Sequence, residues 1–334
     1  MNRSSTRHAA GAFALVATLL GGASVGRADP TELSPQEAYN YGENETPRTA
    51  AMGGALRALG NGTTGVWLTP ADMVQTRIYH IEALAQIVPE ARRQVYGGII
   101  ADSITGKLAG GLSVAGGFID PDGIDRSFID ARAALAYPIS DKLYLGLSGR
   151  YAKVDQSPAQ APFGVEQDKV AGGLVDPEER LSRFSMVNTF TFDAGVTLRA
   201  TESLYIAVLG QSLSYPGHSV LPTTLGGGIG YGTQDFSVEV DGVADFNSWQ
   251  DTSARIMAGG ELLLGDHFPL RGGYRWDQGA DTHSASGGLG YIGQEFSAEV
   301  SVRRSLANPG ATTIVIGLAY FLESTGLTRA PTDF

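Results

Sequence analysis

The chain has no cysteine among its 334 residues. Disulfides, thiolate nucleophiles, zinc-thiolate sites and a lipidated cysteine are therefore excluded. Basic residues are also in deficit, with 24 Lys+Arg against 35 Asp+Glu and a formal net charge of −11. A nucleic-acid binder needs a basic footprint, so that class is set aside. The five histidines include no pair at metal-binding spacing, and no Gly-x-Ser-x-Gly elbow appears, so no enzyme constellation and no cofactor are indicated. Beyond the first residues, no stretch approaches 18 uncharged apolar residues, the length a spanning helix needs.

What is present begins with an export-type start. Arg3, Arg7 and His8 precede the apolar run Ala9 to Leu20, and small residues lead to Gly26-Arg27-Ala28. This pattern reads as a signal peptide over 1–28, with an uncleaved N-terminal anchor as the alternative. Glycine is abundant, at 45 residues.

From Gln75 onward the apolar residues recur with period two, the signature of half-buried strands. In "TIVIGLAYFL", Ile314, Ile316, Leu318 and Tyr320 share one face, and Thr313, Val315, Gly317 and Ala319 share the other. Fourteen such segments can be drawn: 75–87, 93–102, 106–118, 127–137, 142–154, 183–199, 203–213, 220–231, 234–246, 252–264, 268–277, 282–291, 294–304 and 312–322. Every second connector is short ("ISDK", "ATES", "LGDH"), while the other set includes the long acidic segment Asp155 to Leu181. An even strand number with this asymmetry predicts an all-β fold, a 14-stranded antiparallel transmembrane β-barrel in the cell outer membrane. Only a closed sheet leaves no unpaired backbone in hydrocarbon. A secreted sandwich would also alternate, but strands of ten or more residues are long for one.

"PLRGGYRWD" (Pro269 to Asp277) is then a strand and not a nucleic-acid patch. Leu270, Tyr274 and Trp276 face lipid; Arg271, Arg275 and Asp277 face the lumen. "GGGIGYG" (Gly226 to Gly232) lacks the Lys-Ser/Thr and the helix of a phosphate loop, and reads as strand. "DPDGID" (Asp120 to Asp125) reads as a solvated turn, with a calcium loop as the sharper alternative.

Residues 29–74 show no alternation and are too few to fold alone, so their natural place is inside the barrel. "SPQEAYNYG" suggests a short helix starting at Ser34. The expected organisation is signal peptide 1–28, N-terminal plug (hatch) segment 29–74, barrel 75–322 and a periplasmic tail 323–334.

"RTAAMGGALRAL" followed by "GVWLTPADM" resembles the N-terminal signature of FadL-type outer-membrane transporters and the related PorV-like barrels. Trp67, Leu68, Thr69, Pro70 and Ala71 occupy its second element, with Thr69 where the family usually has asparagine. The resemblance implies a lumenal plug and passive passage of hydrophobic, fatty-acid-like small molecules through a barrel embedded in outer-membrane lipid. Its PorV-like side implies another possibility, a non-transporting scaffold that docks an exported protein.

Alternation sends Asp130, Arg132, Arg150, Asp193, Glu239, Asp241, Arg255, Glu261, Arg271, Arg275, Glu299 and Arg303 inward. Unpaired charges there would be costly, so the first reading is a salt-bridge network between wall and plug. The functional reading is an anion site in which Arg132, Arg150, Arg255, Arg275 and Arg303 catch the carboxylate of an amphipathic substrate. Arg271 and Glu261 both lie close to the "LGDH" turn and are the expected structural pair, with Glu299 nearby; Arg275 is the arginine expected to stay free for a ligand.

Overall fold

Fourteen antiparallel strands pair in sequence order, and β14 returns to β1 to close the sheet. The structure is a computed structural model and describes residues 39–120, 125–156, 184–218, 221–307 and 310–322. The first strands are β1 (Tyr79–Val88), β2 (Arg93–Asp102), β3 (Ala109–Ile119), β4 (Arg126–Pro138) and β5 (Leu143–Gln156). The middle of the barrel is β6 (Phe184–Arg199), β7 (Leu204–Gln211), β8 (Thr224–Gly232), β9 (Phe236–Asp245) and β10 (Ser253–Leu264). It closes with β11 (Phe268–Asp277), β12 (Thr282–Ile292), β13 (Phe296–Ser305) and β14 (Thr312–Leu322).

The number and order of strands agree with the alternation, and β2, β11 and β14 agree to the residue. β1 starts later than expected, at Tyr79, because Pro70–Val74 forms a 3-10 turn that delays the extended backbone. The signal peptide, the helix at Ser34, most of the "DPDGID" turn, the acidic connector and the C-terminal tail lie outside the described residues.

The two faces of the wall separate cleanly. Outward side chains such as Leu112, Leu147, Phe190, Val240 and Leu318 are exposed and apolar. Inward positions carry most of the charge, and Arg132, Asp193, Glu239, Arg255 and Arg303 are all buried. An apolar exterior around a charged interior is the inverse of a soluble barrel and marks a transmembrane one. Short turns join β2–β3, β4–β5, β6–β7, β8–β9, β10–β11 and β12–β13, and so gather at one end. The opposite end carries the loops. A cation placed on the outer face meets hydrocarbon directly. Ile316→Arg is expected to cost about 2–4 kcal/mol of folding stability in lipid. A chemical-denaturation series in vesicles checks it.

Residues 39–74 fill the space that the strands enclose, and almost all of them are buried. The segment holds two short helices, α1 (Pro47–Ala51) and α2 (Thr63–Trp67). Thr46 caps α1, its hydroxyl accepting from the Thr49 N–H at 3.3 Å, with Pro47 at the first helical position. α1 packs on β11–β14, and the turn Pro70–Val74 packs on β3–β6.

The glycines of the wall explain how the segment fits. A Cβ at Gly317 would come within 2.7 Å of Pro47, and one at Gly259 within 2.5 Å of the Met52 carbonyl. A Cβ at Gly273 would overlap the backbone of Met52 and Gly53, and one at Gly146 that of Pro70 and Ala71. Gly53 answers from the other side. Its φ of +73° is open to glycine, and a Cβ there would lie 2.7 Å from the Tyr274 backbone. The lumenal segment therefore meets the wall backbone to backbone.

Candidate functional site

The lumen is held together by charge arranged along the barrel axis. On β10, Glu261 lies towards the short-turn end and Arg255 towards the loop end; on β13, Glu299 and Arg303 repeat that order. The lumenal segment carries the complementary order, with Glu43 and Glu45 towards the arginines and Arg48 towards Glu261, while Arg57 sits between Glu43, at 3.4 Å, and Asp241 of the wall. Four ion pairs join them. Glu43 lies 3.3 Å from Arg255 and Glu45 lies 2.5 Å from Arg303. Arg48 lies 3.0 Å from Glu261 and Arg57 lies 3.3 Å from Asp241. This complementarity gives the segment one favoured direction inside the barrel.

Glu43 shows how strong the field is. Burial alone would raise its carboxyl, but Arg255, Arg57, Arg275 and Arg303 outweigh that and hold it down to about 2. It is ionised at any physiological pH.

Backbone amides complete the seat. Asp241 Oδ2 accepts from the Leu56 and Arg57 N–H groups at 3.0 and 3.1 Å, and Glu239 accepts from Ala58 and Leu59 at 2.5 and 3.0 Å. Two wall carboxylates on β9 thus grip four consecutive amides. Asp72, itself in the segment, accepts from Thr197 at 2.5 Å, Gln75 at 2.7 Å and Gly60 N–H at 3.3 Å.

Among the residues expected from sequence, Arg271 bridges Glu261 at 2.6 Å and Glu299 at 2.5 Å. Arg132 and Arg150 share Asp130. Arg132 also donates to the Trp67 carbonyl at 2.7 Å and Arg150 to the Gly42 carbonyl at 2.5 Å. Arg255 lies over the Tyr41 ring at 4.2 Å, and Arg303 donates to Asn40 as well as to Glu45.

Arg275 corrects the reading that left it free. It is buried, donates to Asn40 Oδ1 at 3.1 Å, lies 5.5 Å from the Tyr41 ring centre and 3.9 Å from Asp277. The sequence neighbours of Arg275 include only Asp277 as a partner, because Asn40 and Tyr41 arrive from more than 230 positions away. Asn40 and Tyr41 both take left-handed backbone, φ 49° and 54°. That is unfavourable for a bulky residue such as Tyr41, and the two arginines that engage it help hold it there.

Trp67 donates to Ser113 Oγ at 2.8 Å, and Leu68 packs with Met52, Leu56 and Leu59. Thr69 is fully buried, but its hydroxyl finds no hydrogen-bond partner among the described residues. The neighbouring Asp72 makes the polar contacts at this turn instead. Glu43, Glu45, Asp72, Glu82 and Arg93 were not singled out by alternation. Three of them lie in the aperiodic segment, Glu82 lies in β1, and Arg93 opens β2 at its first residue.

Two cavities at the short-turn end border the segment. One, of about 110 Å³, is lined by His80, Glu82, Glu261, Arg271 and Glu299; the other, of about 240 Å³, by Gln75, Arg199, Tyr205 and Gln234. On the outer wall an apolar groove of about 570 Å³ crosses β1–β6. Ile81, Ile100, Leu112, Val114, Tyr151 and Phe190 line it, over Gly98, Ala131 and Gly149. Ser113 and Arg132 reach it from the wall, and both are bonded to Trp67 on the inside.

No family model and no curated protein matches the sequence. Solved structures do. The toluene transporter TbuX of Ralstonia pickettii is similar at a TM-score of 0.60 and 15% identity, over 84% of this chain and 99% of that one. The CymD monoaromatic hydrocarbon channel is similar at 0.60 and 16%, over 83% and 96%. A FadL homologue of Pseudomonas aeruginosa is similar at 0.57 and 13%, over 83% and 98%. At these identities the likeness establishes the fold: the chain has the architecture of FadL-type outer-membrane barrels.

Proposed function

We propose that this barrel is a passive outer-membrane channel for hydrophobic small molecules, with residues 39–74 as a plug that must shift for a solute to pass. The observation that carries the reading is the way the plug is held. It is seated by ion pairs, amide–carboxylate bonds and backbone contact with glycines, in a barrel whose fold is that of hydrocarbon transporters. Polar contacts can be exchanged one by one with water, so such a seat can open without unfolding the wall. The loops face outside and the short turns face the periplasm, as the asymmetry of connectors in outer-membrane barrels implies. The outer groove supports an apolar cargo, because it brings a lipid-facing hollow to within one wall thickness of Trp67. Fatty-acid-like cargo and neutral hydrocarbon are both compatible with that hollow.

The chain lacks cysteine, so a lock can be introduced cleanly. A Cβ at Gly195 in β6 would lie 3.2 Å from Thr69 Cγ2 and no closer than that to any other atom, so a cysteine pair fits there without displacing the plug backbone. Cells carrying Thr69→Cys/Gly195→Cys are expected to take up toluene across the outer membrane only after reduction, while the unlocked chain takes it up in either state. Uptake no faster than in cells lacking the protein would reject the channel. Equal uptake by locked and reduced forms would reject the plug as gate.

A further inference from the structure

Glu82 of β1 and Glu299 of β13 face each other inside the barrel across β14, the strand that pairs with both. Between them stands Gly317, where a Cβ would lie 3.0 Å from Glu82 Oε1. The glycine leaves room that a side chain would fill. Glu82 is 8% exposed and accepts one hydrogen bond, from Thr63 Oγ1 to its Oε2 at 2.5 Å. Among the described residues no cation lies within ion-pair distance of it, and its Oε1 accepts nothing. Two charges act on it from farther away. Glu299 repels it, and Arg271, which attracts it, is already shared by Glu261 and Glu299. A buried carboxylate left this way is costly unless a cation completes it.

Both carboxylates line the cavity of about 110 Å³ at the short-turn end. Inside it Glu82, Glu261 and Glu299 stand against Arg48 and Arg271, which leaves one negative charge in excess. Asp235, exposed in the β8–β9 turn, adds another at the mouth. His80 brings no charge, because its Nε2 accepts from the Thr63 N–H at 3.0 Å; its Nδ1 is buried without a partner. The hydroxyls of Thr46 and Thr64 add acceptors, and Leu263, Ile292 and Phe321 form an apolar side. Among the described residues no three carboxylates or imidazoles are grouped to hold a metal ion.

We propose that this cavity binds the primary ammonium group of a short aliphatic amine that enters from the short-turn end. An ammonium has three donors and no acceptor, which suits a site built of carboxylates and hydroxyls. The head donates to Glu82 Oε1, to Glu299 and to a threonine hydroxyl, in charge-assisted bonds. The methylenes lie along Leu263, Ile292 and Phe321. In a diamine the second ammonium stays hydrated at the mouth, beside Asp235. A bound head joins β1 and β13 to Thr63 of α2 through Glu82, so the amine ties the plug to the wall. The site goes beyond the channel reading, and binding is read in detergent without any transport.

The test follows the thermal midpoint of the full chain in detergent against diaminobutane, butanediol, sodium chloride and magnesium chloride, with ionic strength held constant. The diamine is expected to raise the midpoint saturably, as a ligand of the folded state must; the diol and the two salts are not. Glu82→Gln keeps an acceptor for Thr63 and removes the excess charge. Its midpoint without ligand should equal or exceed that of the parent, with diamine affinity down by about ten- to a hundredfold. Glu299→Gln should also weaken the diamine, while Arg271 stays held by Glu261. No diamine shift, an equal shift with the diol or either salt, or a diamine affinity unchanged in both variants overturns the site. A Glu82→Gln midpoint well below the parent also overturns it, since the folded chain itself would then balance that carboxylate.

Discussion

Gly273→Val is expected to unseat the plug and leave the barrel folded, whereas Gly272→Val, one residue away, is expected to do neither. Gly273 faces inward, where any Cβ would occupy the same space as the Met52–Gly53 backbone. Gly272 faces lipid, and a Cβ there has nothing nearer than the Ser286 carbonyl oxygen at 3.9 Å. Valine is favourable in strands, so neither change disturbs the wall by itself. Overpacking costs about 1–3 kcal/mol where side chains can yield. Here the neighbour is backbone held by Gly53 and α1, so that range is a lower bound. At 1.4 kcal/mol per factor of ten, the ratio of seated to unseated plug falls by about five- to a hundredfold or more. The readouts are single-channel conductance in planar bilayers and protease cleavage within 39–74, with heat-modifiable gel mobility reporting the intact barrel. Equal conductance and equal protection in the two variants would mean that the plug is not seated on Gly273.

That contrast marks what the sequence could and could not disclose. The alternation of Leu270, Gly272 and Tyr274 against Arg271, Gly273 and Arg275 is a consequence of the pleat, so both faces of β11 were readable. The same period drew the other thirteen strands and the inward set of charges. Nothing in the period says why Gly273 is glycine. Its reason is Met52 and Gly53, which lie more than two hundred positions away and belong to a segment with no period at all. The same limit applied to Arg275. Its face was legible, but its partners Asn40 and Tyr41 come from the plug, and only a folded lumen brings them to it.

Arg271 gives the second large effect. Arg271→Ala is expected to cost about 3–5 kcal/mol, the range for breaking a buried pair by removing one member. Arg271 is 5% exposed and donates to two carboxylates, Glu261 at 2.6 Å and Glu299 at 2.5 Å. Its loss does not fall equally on them. Glu261 keeps the bidentate Arg48, at 3.0 and 3.1 Å, and so retains a counter-charge from the plug. Among the described residues Glu299 has no second cation within ion-pair distance, and it would be left beside Glu82 in the short-turn cavity. The penalty therefore resides in Glu299, and Arg271→Ala/Glu299→Gln should recover most of the lost stability, while Arg271→Ala/Glu261→Gln should not, because it also strands Arg48. Arg271→Lys should fall between parent and alanine, since one ammonium cannot span both carboxylates with the fork of a guanidinium. Chemical denaturation of all four variants in detergent measures this. Equal recovery from Glu261→Gln and Glu299→Gln would show that Arg48 does not hold Glu261, and with it that the basic end of the plug is not anchored where the charge order along the barrel puts it.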